Sequence, residues 1–278
     1  MAAPNHLISG YQTLRKAGRE PYLTIGSWQH WDAELSLTAL RESITWLRAH
    51  LLGDRRELRE APVRIYVRGA DEWRDLPVYP PAEAQPQRLN LHPNGGLSGD
   101  LPAESAPDRY RYDPADPTPA IAAMSRMIGI PRKTGEGVLA GREDVVTYTG
   151  APLPADLEVI GIPTAELHVT SSLAHTDFYV RISDVAPTGT ITHVSDALRR
   201  FAADRPIDEM VGIELAPVAH RFKRGHRVRV QIASGACPRW DRNPGTGEPP
   251  AAGSAMRVAD QRIHHSPARP SAVILPAT

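Results

Sequence analysis

The stretch Arg227-Val228-Arg229-Val230-Gln231-Ile232 decides the fold. Apolar and polar residues alternate strictly, so Val228, Val230 and Ile232 share one face of a strand and the polar residues the other. The same period recurs at Ala165, Leu167 and Val169 and at Phe178, Val180 and Ile182, while Ala272-Val273-Ile274-Leu275 reads as a strand buried on both faces. Most of the 27 prolines fall between such runs, where they remove no ladder hydrogen bond. From Val63 onward, short alternating runs punctuated by Pro and Gly predict an all-β sandwich or barrel. The β signal thins over residues 76–108 and 114–142, which are expected to be irregular loops.

The composition excludes several functions. The 278 residues carry 32 basic and 32 acidic side chains, a net charge of zero, so nothing draws the chain as a whole to nucleic acid or to an anionic membrane. Only Lys16, Lys133 and Lys223 are lysines. The single cysteine, Cys237, rules out an internal disulfide, is expected to be a buried structural thiol, and is compatible with a reducing cytoplasm. No apolar run is long enough to span a bilayer, and residues 1–20 lack a signal-peptide core. A cytoplasmic protein is the expectation.

Ahead of the strands, Leu37, Leu40, Ile44, Leu47 and Leu51 recur at spacings of three and four, placing them on one face of a helix over residues 33–52, with Gly53 as its stop. Leaving these side chains in water would forgo roughly 1.5–3 kcal/mol each, on the order of 10 kcal/mol together. The helix is therefore expected to pack on the sandwich or on a missing partner chain.

Before that helix, Tyr22-Leu23-Thr24-Ile25-Gly26-Ser27-Trp28-Gln29-His30 runs a short apolar strand into a glycine turn and delivers a histidine. No nucleophile elbow of the G-x-S-x-G kind stands between a strand and a helix; Gly96-Leu97-Ser98-Gly99 is the nearest approach and lies in a loop. The scattered histidines match no zinc spacing, and the neighbours His264 and His265 would point to opposite faces of a strand. No metal and no cofactor is expected.

Four ordered motifs carry a resemblance: the segment Pro62-Val63-Arg64-Ile65-Tyr66-Val67-Arg68-Gly69-Ala70-Asp71-Glu72-Trp73-Arg74-Asp75, then Arg111-Tyr112-Asp113-Pro114-Ala115-Asp116-Pro117, then Thr176-Asp177-Phe178, and finally Pro238-Arg239-Trp240-Asp241-Arg242-Asn243-Pro244-Gly245-Thr246-Gly247. Together they resemble the carboxy-terminal half of the CocE/NonD hydrolases, the cocaine-esterase-like acyl hydrolases that share their carboxy-terminal domain with the X-Pro dipeptidyl-peptidases. The resemblance implies a mainly β chain: residues 57–278 a jelly-roll β-sandwich, preceded in residues 1–56 by a strand-and-helix remnant of an α/β-hydrolase domain. It places His30 at the triad position, as the general base that accepts the serine proton and returns it to the leaving group. The family's acid falls at or before Met1, and Asp32 is too near in sequence to turn back onto the ring. Where the family has proline, this chain has Ser27, which no elbow presents as a nucleophile. The resemblance thus implies the carboxy-terminal part of a serine hydrolase acting on a small ester or peptide, inert until a complementing hydrolase chain supplies the serine and acid. Assembly with a second copy, or a non-catalytic sandwich that binds a partner or a carbohydrate, are the other readings.

Within the motifs, Asp71, Glu72 and Asp75 around Trp73 are read as a structural turn with an anchoring tryptophan rather than a metal or acid/base site. Asp241-Arg242-Asn243 is read as a hydrogen-bonded turn holding neighbouring loops, with Arg242 contributing to stability.

Overall fold

Apolar periodicity of two kinds divides the chain into a helical start and a long β portion. The computed structural model describes residues 4–28, 32–120, 139, 141–248 and 254–278. Helix α1 (Pro4–Lys16), strand β1 (Leu23–Ile25) and helix α2 (Ala33–Leu51) come first, followed by the hairpin of β2 (Val63–Val67) and β3 (Glu72–Leu76). Then come β4 (Gln85–His92), β5 (Gly96–Ser98), β6 (Asp108–Tyr112), β7 (Val146–Gly150), β8 (Leu157–Gly161), β9 (Thr164–Ser171) and β10 (His175–Val185). The rest are β11 (Ile191–Ala202), β12 (Asp208–Glu214), β13 (Val218–Phe222), β14 (Arg227–Ala233), β15 (Ala259–Ser266), β16 (Arg269–Pro270) and β17 (Ala272–Ala277).

Strands β4 to β17 form one hydrogen-bonded sheet whose main path is β11-β10-β14-β7-β5-β4-β17-β9-β15-β16, with β12 beside β9, β6 beside β15, and β8 joining β13 to β17; all pairs are antiparallel except β5 with β7. The path folds back on itself into a jelly-roll β-sandwich. Phe178, Val180 and Ile182 of β10 and Val228, Val230 and Ile232 of β14 meet Ala165, Leu167 and Val169 of β9 and Val273 and Leu275 of β17 in one buried cluster. These are the alternating positions of the sequence, and truncating Phe178 or Leu167 to Ala would cost about 2–5 kcal/mol. Strand β10 departs from simple alternation: after His175 every residue from Thr176 to Val185 is buried, on both faces, and on the outer side Tyr179 packs against Ala233, Ala236 and Trp240.

One expectation for the irregular stretches changes. Residues 85–92 form a full strand, β4, hidden from sequence reading by Pro86; over its first residues β4 has only β17 alongside, so the proline sits on an open edge. Most of the second stretch, 121–138 and 140, lies outside the described residues. Cys237 is half-buried rather than buried.

The first sandwich-like run, Val63–Val67, joins a separate three-stranded sheet, β1-β2-β3, in which β1 runs parallel to β2 with Leu23 opposite Val63. A second core forms there from Ile8 and Tyr11 of α1, Leu23, Val63, Ile65, Val67 and Leu76, reaching Ile160 of the sandwich. Elements on both sides of the 56/57 boundary therefore share one sheet. Arg59 ties it together: its guanidinium donates to Glu42 of α2 at 2.6 Å, to Thr24 Oγ1 at 3.0 Å and to the Pro62 carbonyl at 3.1 Å.

Helix α2 ends as expected at Gly53, whose φ of +71° lets Asp54 N–H reach back to the Arg48 carbonyl at 3.2 Å. Its apolar face does not pack on the sandwich. Leu37, Leu40, Ile44, Leu47 and Leu51 are 46–74% exposed, and Ala49 is the helix's one buried residue among those described. Glu42, through its bond to Arg59, ties the helix to the small sheet from the opposite side, the side that also carries the buried Ala49, and the leucine stripe is left open.

Candidate functional site

Parallel pairing of β1 and β2 makes both strands end at the same sheet edge, the position where ligands gather in parallel α/β sheets. From β1 the chain turns through Gly26 to Ser27 and Trp28. A Cβ on Gly26 would stand 2.5 Å from the Trp28 ring, so only glycine lets the indole fold over its own turn. Trp28 then packs on Trp73 at 5.5 Å between centroids, and Trp73 meets Tyr66 edge-on at 5.4 Å. The expected anchoring role of Trp73 takes this form, an aromatic ladder steadying the turn before residue 30. Gln29, His30 and Trp31 themselves lie outside the described residues.

The acidic residues around Trp73 are structural. Arg64 of β2 donates bidentately to Asp75 of β3 at 2.7 and 2.8 Å, and Glu72 pairs with Arg74. Asp71, at φ +57°, accepts from Tyr66 Oη at 3.3 Å in the hairpin turn. Among the described residues no group of three or more His, Cys, Asp or Glu is arranged to hold a metal ion. His264 bonds Thr170 Oγ1 at 2.8 Å, whereas His265 lies buried between Ser105 Oγ at 2.8 Å and Asp108 at 3.1 Å, so the two point apart as expected.

From β2 the chain passes directly onto the sandwich. Arg68 N–H donates to the Ala219 carbonyl at 3.0 Å, and Arg221 N–H to the Arg68 carbonyl at 2.8 Å, bridging β2 to β13. Gly69, at φ +81°, is needed here because a Cβ would come within 2.3 Å of the Arg221 carbonyl oxygen. At this seam opens a cleft of about 410 Å³. Ser27, Tyr66, Arg68 and Asp71 line one wall, and Asp184, Thr192, His220, Lys223 and His226 the other.

The floor of the cleft is a cluster that sequence reading missed. His220 donates Nε2–H to one oxygen of Asp184 at 2.9 Å, and His226 donates Nδ1–H to the other at 2.7 Å. Burial pushes the Asp184 carboxyl upward, but the two imidazole bonds outweigh it and hold the group below the ordinary carboxylate range. These bonds fix both tautomers, leaving His220 Nδ1 buried without a partner and His226 Nε2 as a free lone pair. His220 lies within β13 and His226 at the far end of the turn joining β13 to β14, and β10 brings Asp184 opposite Val228, two residues beyond His226. Only the turn and this register reveal the cluster.

The remaining motifs hold loops. Asp177 of β10 is buried and receives the Arg200 guanidinium at 2.8 Å and Asn243 Nδ2 at 2.7 Å; Asn243 Oδ1 in turn accepts from Gly245 N–H at 2.9 Å. Arg242 makes one long contact, 3.5 Å to the Pro114 carbonyl. The turn exists as expected, but Asn243 rather than Arg242 fastens it.

With this geometry in view, comparison with known proteins decides the family. Residues 58–274 match the X-Pro dipeptidyl-peptidase C-terminal non-catalytic domain. The chain belongs to that family. Cocaine esterase of Rhodococcus sp. (strain MB1 Bresler) is 30% identical across 94% of this chain and 52% of the esterase. An α-amino acid ester hydrolase of known structure superposes with a TM-score of 0.83 at 25% identity, over 98% of this chain and 52% of that one. A CocE/NonD family hydrolase from Staphylococcus aureus, 14% identical, shares the fold with a TM-score of 0.68 over 98% of this chain and 51% of its own. The CocE/NonD resemblance read from the motifs is thereby shown, and this member of the peptidase C-terminal domain family spans about half the length of the relatives it matches.

Proposed function

We propose that this chain is the carboxy-terminal part of a serine hydrolase that cleaves an acyl bond in a small ester or peptide. His30 is the base that takes the proton from the serine hydroxyl and returns it to the leaving group. The serine and the orienting carboxylate come from a catalytic portion outside this chain, and without them a lone triad histidine gives negligible rate. The jelly roll contributes a wall of the substrate site at the β1–β2 edge.

The observation that carries this reading is the open leucine stripe of α2 beside β1, which pairs on one side only among the described residues. An unpaired parallel edge strand and an apolar helix face together are what a sheet-and-helix domain looks like when its neighbouring strands and helices are elsewhere. The chain's half-length match to ester hydrolases supports the same reading. No described helix is long and apolar enough to cross a membrane.

The test is complementation. The purified chain alone should not turn over p-nitrophenyl esters, and joining it to the catalytic half of a cocaine-esterase-like relative should produce turnover that His30→Ala removes. Turnover by the chain alone, or a joined enzyme indifferent to His30→Ala, would overturn the proposal.

A further inference from the structure

The cleft at the β2–β13 seam has unbalanced chemistry. Of its two carboxylates, Asp184 has both oxygens occupied by imidazole N–H groups and Asp71 accepts from Tyr66. Its two cations, in contrast, have no acceptor: neither the Arg68 guanidinium nor the Lys223 ammonium makes an ion pair or hydrogen bond with any described residue. The arginines around them are engaged, Arg74 with Glu72 and Glu158, and Arg221 with Glu158 at 2.7 Å. A cleft whose buried acid is satisfied and whose cations are idle offers that free donor capacity to an anion. Ser27 adds an exposed hydroxyl on the same wall, and the His226 ring, with Nδ1–H committed to Asp184, borders the cleft as a reporter of what enters it.

We propose that this cleft binds an organic carboxylate, held by Arg68 and Lys223 and steadied by the Ser27 hydroxyl. A guanidinium matches a carboxylate with two parallel N–H bonds, which a compact ammonium then supplements as a point charge. A volume of about 410 Å³ admits an acyl or arylacyl group behind the carboxylate. Resting on the acyl-hydrolase reading, the ligand is the acid released by cleavage or an acidic end of the substrate, because the turn that follows β1 supplies Ser27 to the wall of the cleft.

Binding is measurable without turnover, which separates this proposal from the hydrolase reading. Phenylacetate titrated into the full chain, followed by the ¹⁵N resonance of the His226 ring and by calorimetry, should saturate, while the uncharged match phenylacetamide should not. Arg68→Ala and Lys223→Ala, both on exposed side chains, should each weaken binding about fivefold and together abolish it, with unchanged melting temperatures. Binding that survives the double variant, or equal binding of phenylacetamide, overturns the site. Inorganic phosphate displacing phenylacetate at equal concentration overturns the organic-carboxylate assignment in favour of an unselective oxyanion pocket.

Discussion

His220 of β13 gives its Nε2 proton to Asp184 of β10 across 2.9 Å, deep under the seam where the small sheet meets the sandwich. With His226 on the second oxygen, one carboxylate orients both rings. Asp184→Asn would put an amide donor against one imidazole N–H and leave it unsatisfied, at a cost of about 3 kcal/mol.

The sign of its pH dependence follows from the lowered carboxyl. A group whose folded pKa lies below its ordinary value of 3.8 contributes stability that is present above that value and lost as pH falls through the folded one. Wild type should therefore lose its advantage over Asp184→Asn below about pH 4. Chemical denaturation of both across that range checks it, and parallel curves would contradict the assignment.

Asn243 and Arg242 should behave differently despite their adjacency. Asn243→Ala strips a buried bond from the Asp177 carboxylate and a turn bond to Gly245, a loss of about 2 kcal/mol. Arg242→Ala removes one long contact and should stay within about 0.5 kcal/mol of wild type. Thermal melts of the two variants compare them directly.

Gly26→Ala should disturb the aromatic ladder. The new methyl would overlap the Trp28 ring, so the ring or the turn must move, costing about 1–3 kcal/mol. Tryptophan fluorescence should report the altered Trp28–Trp73 contact, and the joined enzyme of the complementation assay should lose activity through displacement of residue 30.

Leu40→Glu with Ile44→Glu on α2 should leave the chain's own melting temperature unchanged, since both side chains are already exposed. The same pair should reduce binding of a hydrophobic dye and abolish complementation by the catalytic half. A destabilised isolated chain would show instead that the stripe is covered within this molecule.

Local pattern was enough for much of this protein. Alternation in 227–232, 165–169 and 178–182 named the inward residues of β14, β9 and β10 because a strand's side-chain period is two whatever it pairs with. The helix stop at Gly53 was legible because a left-handed residue closes a helix through contacts only a turn away. The ordered motifs led to the family, and their meeting at Asp177 and Asn243 explains why those residues occur together.

Pairing partners were decided only in three dimensions. Val63, Ile65 and Val67 show a strand's alternation, yet nothing in those residues says that they join β1 rather than the sandwich. The leucine stripe of α2 announced burial, and the tertiary structure left it open, because periodicity specifies which face is apolar but not what covers it. The Asp184 cluster and its cleft were invisible for the same reason: residues 36 and 42 positions apart become neighbours through strand register, a long-range property that no local window contains.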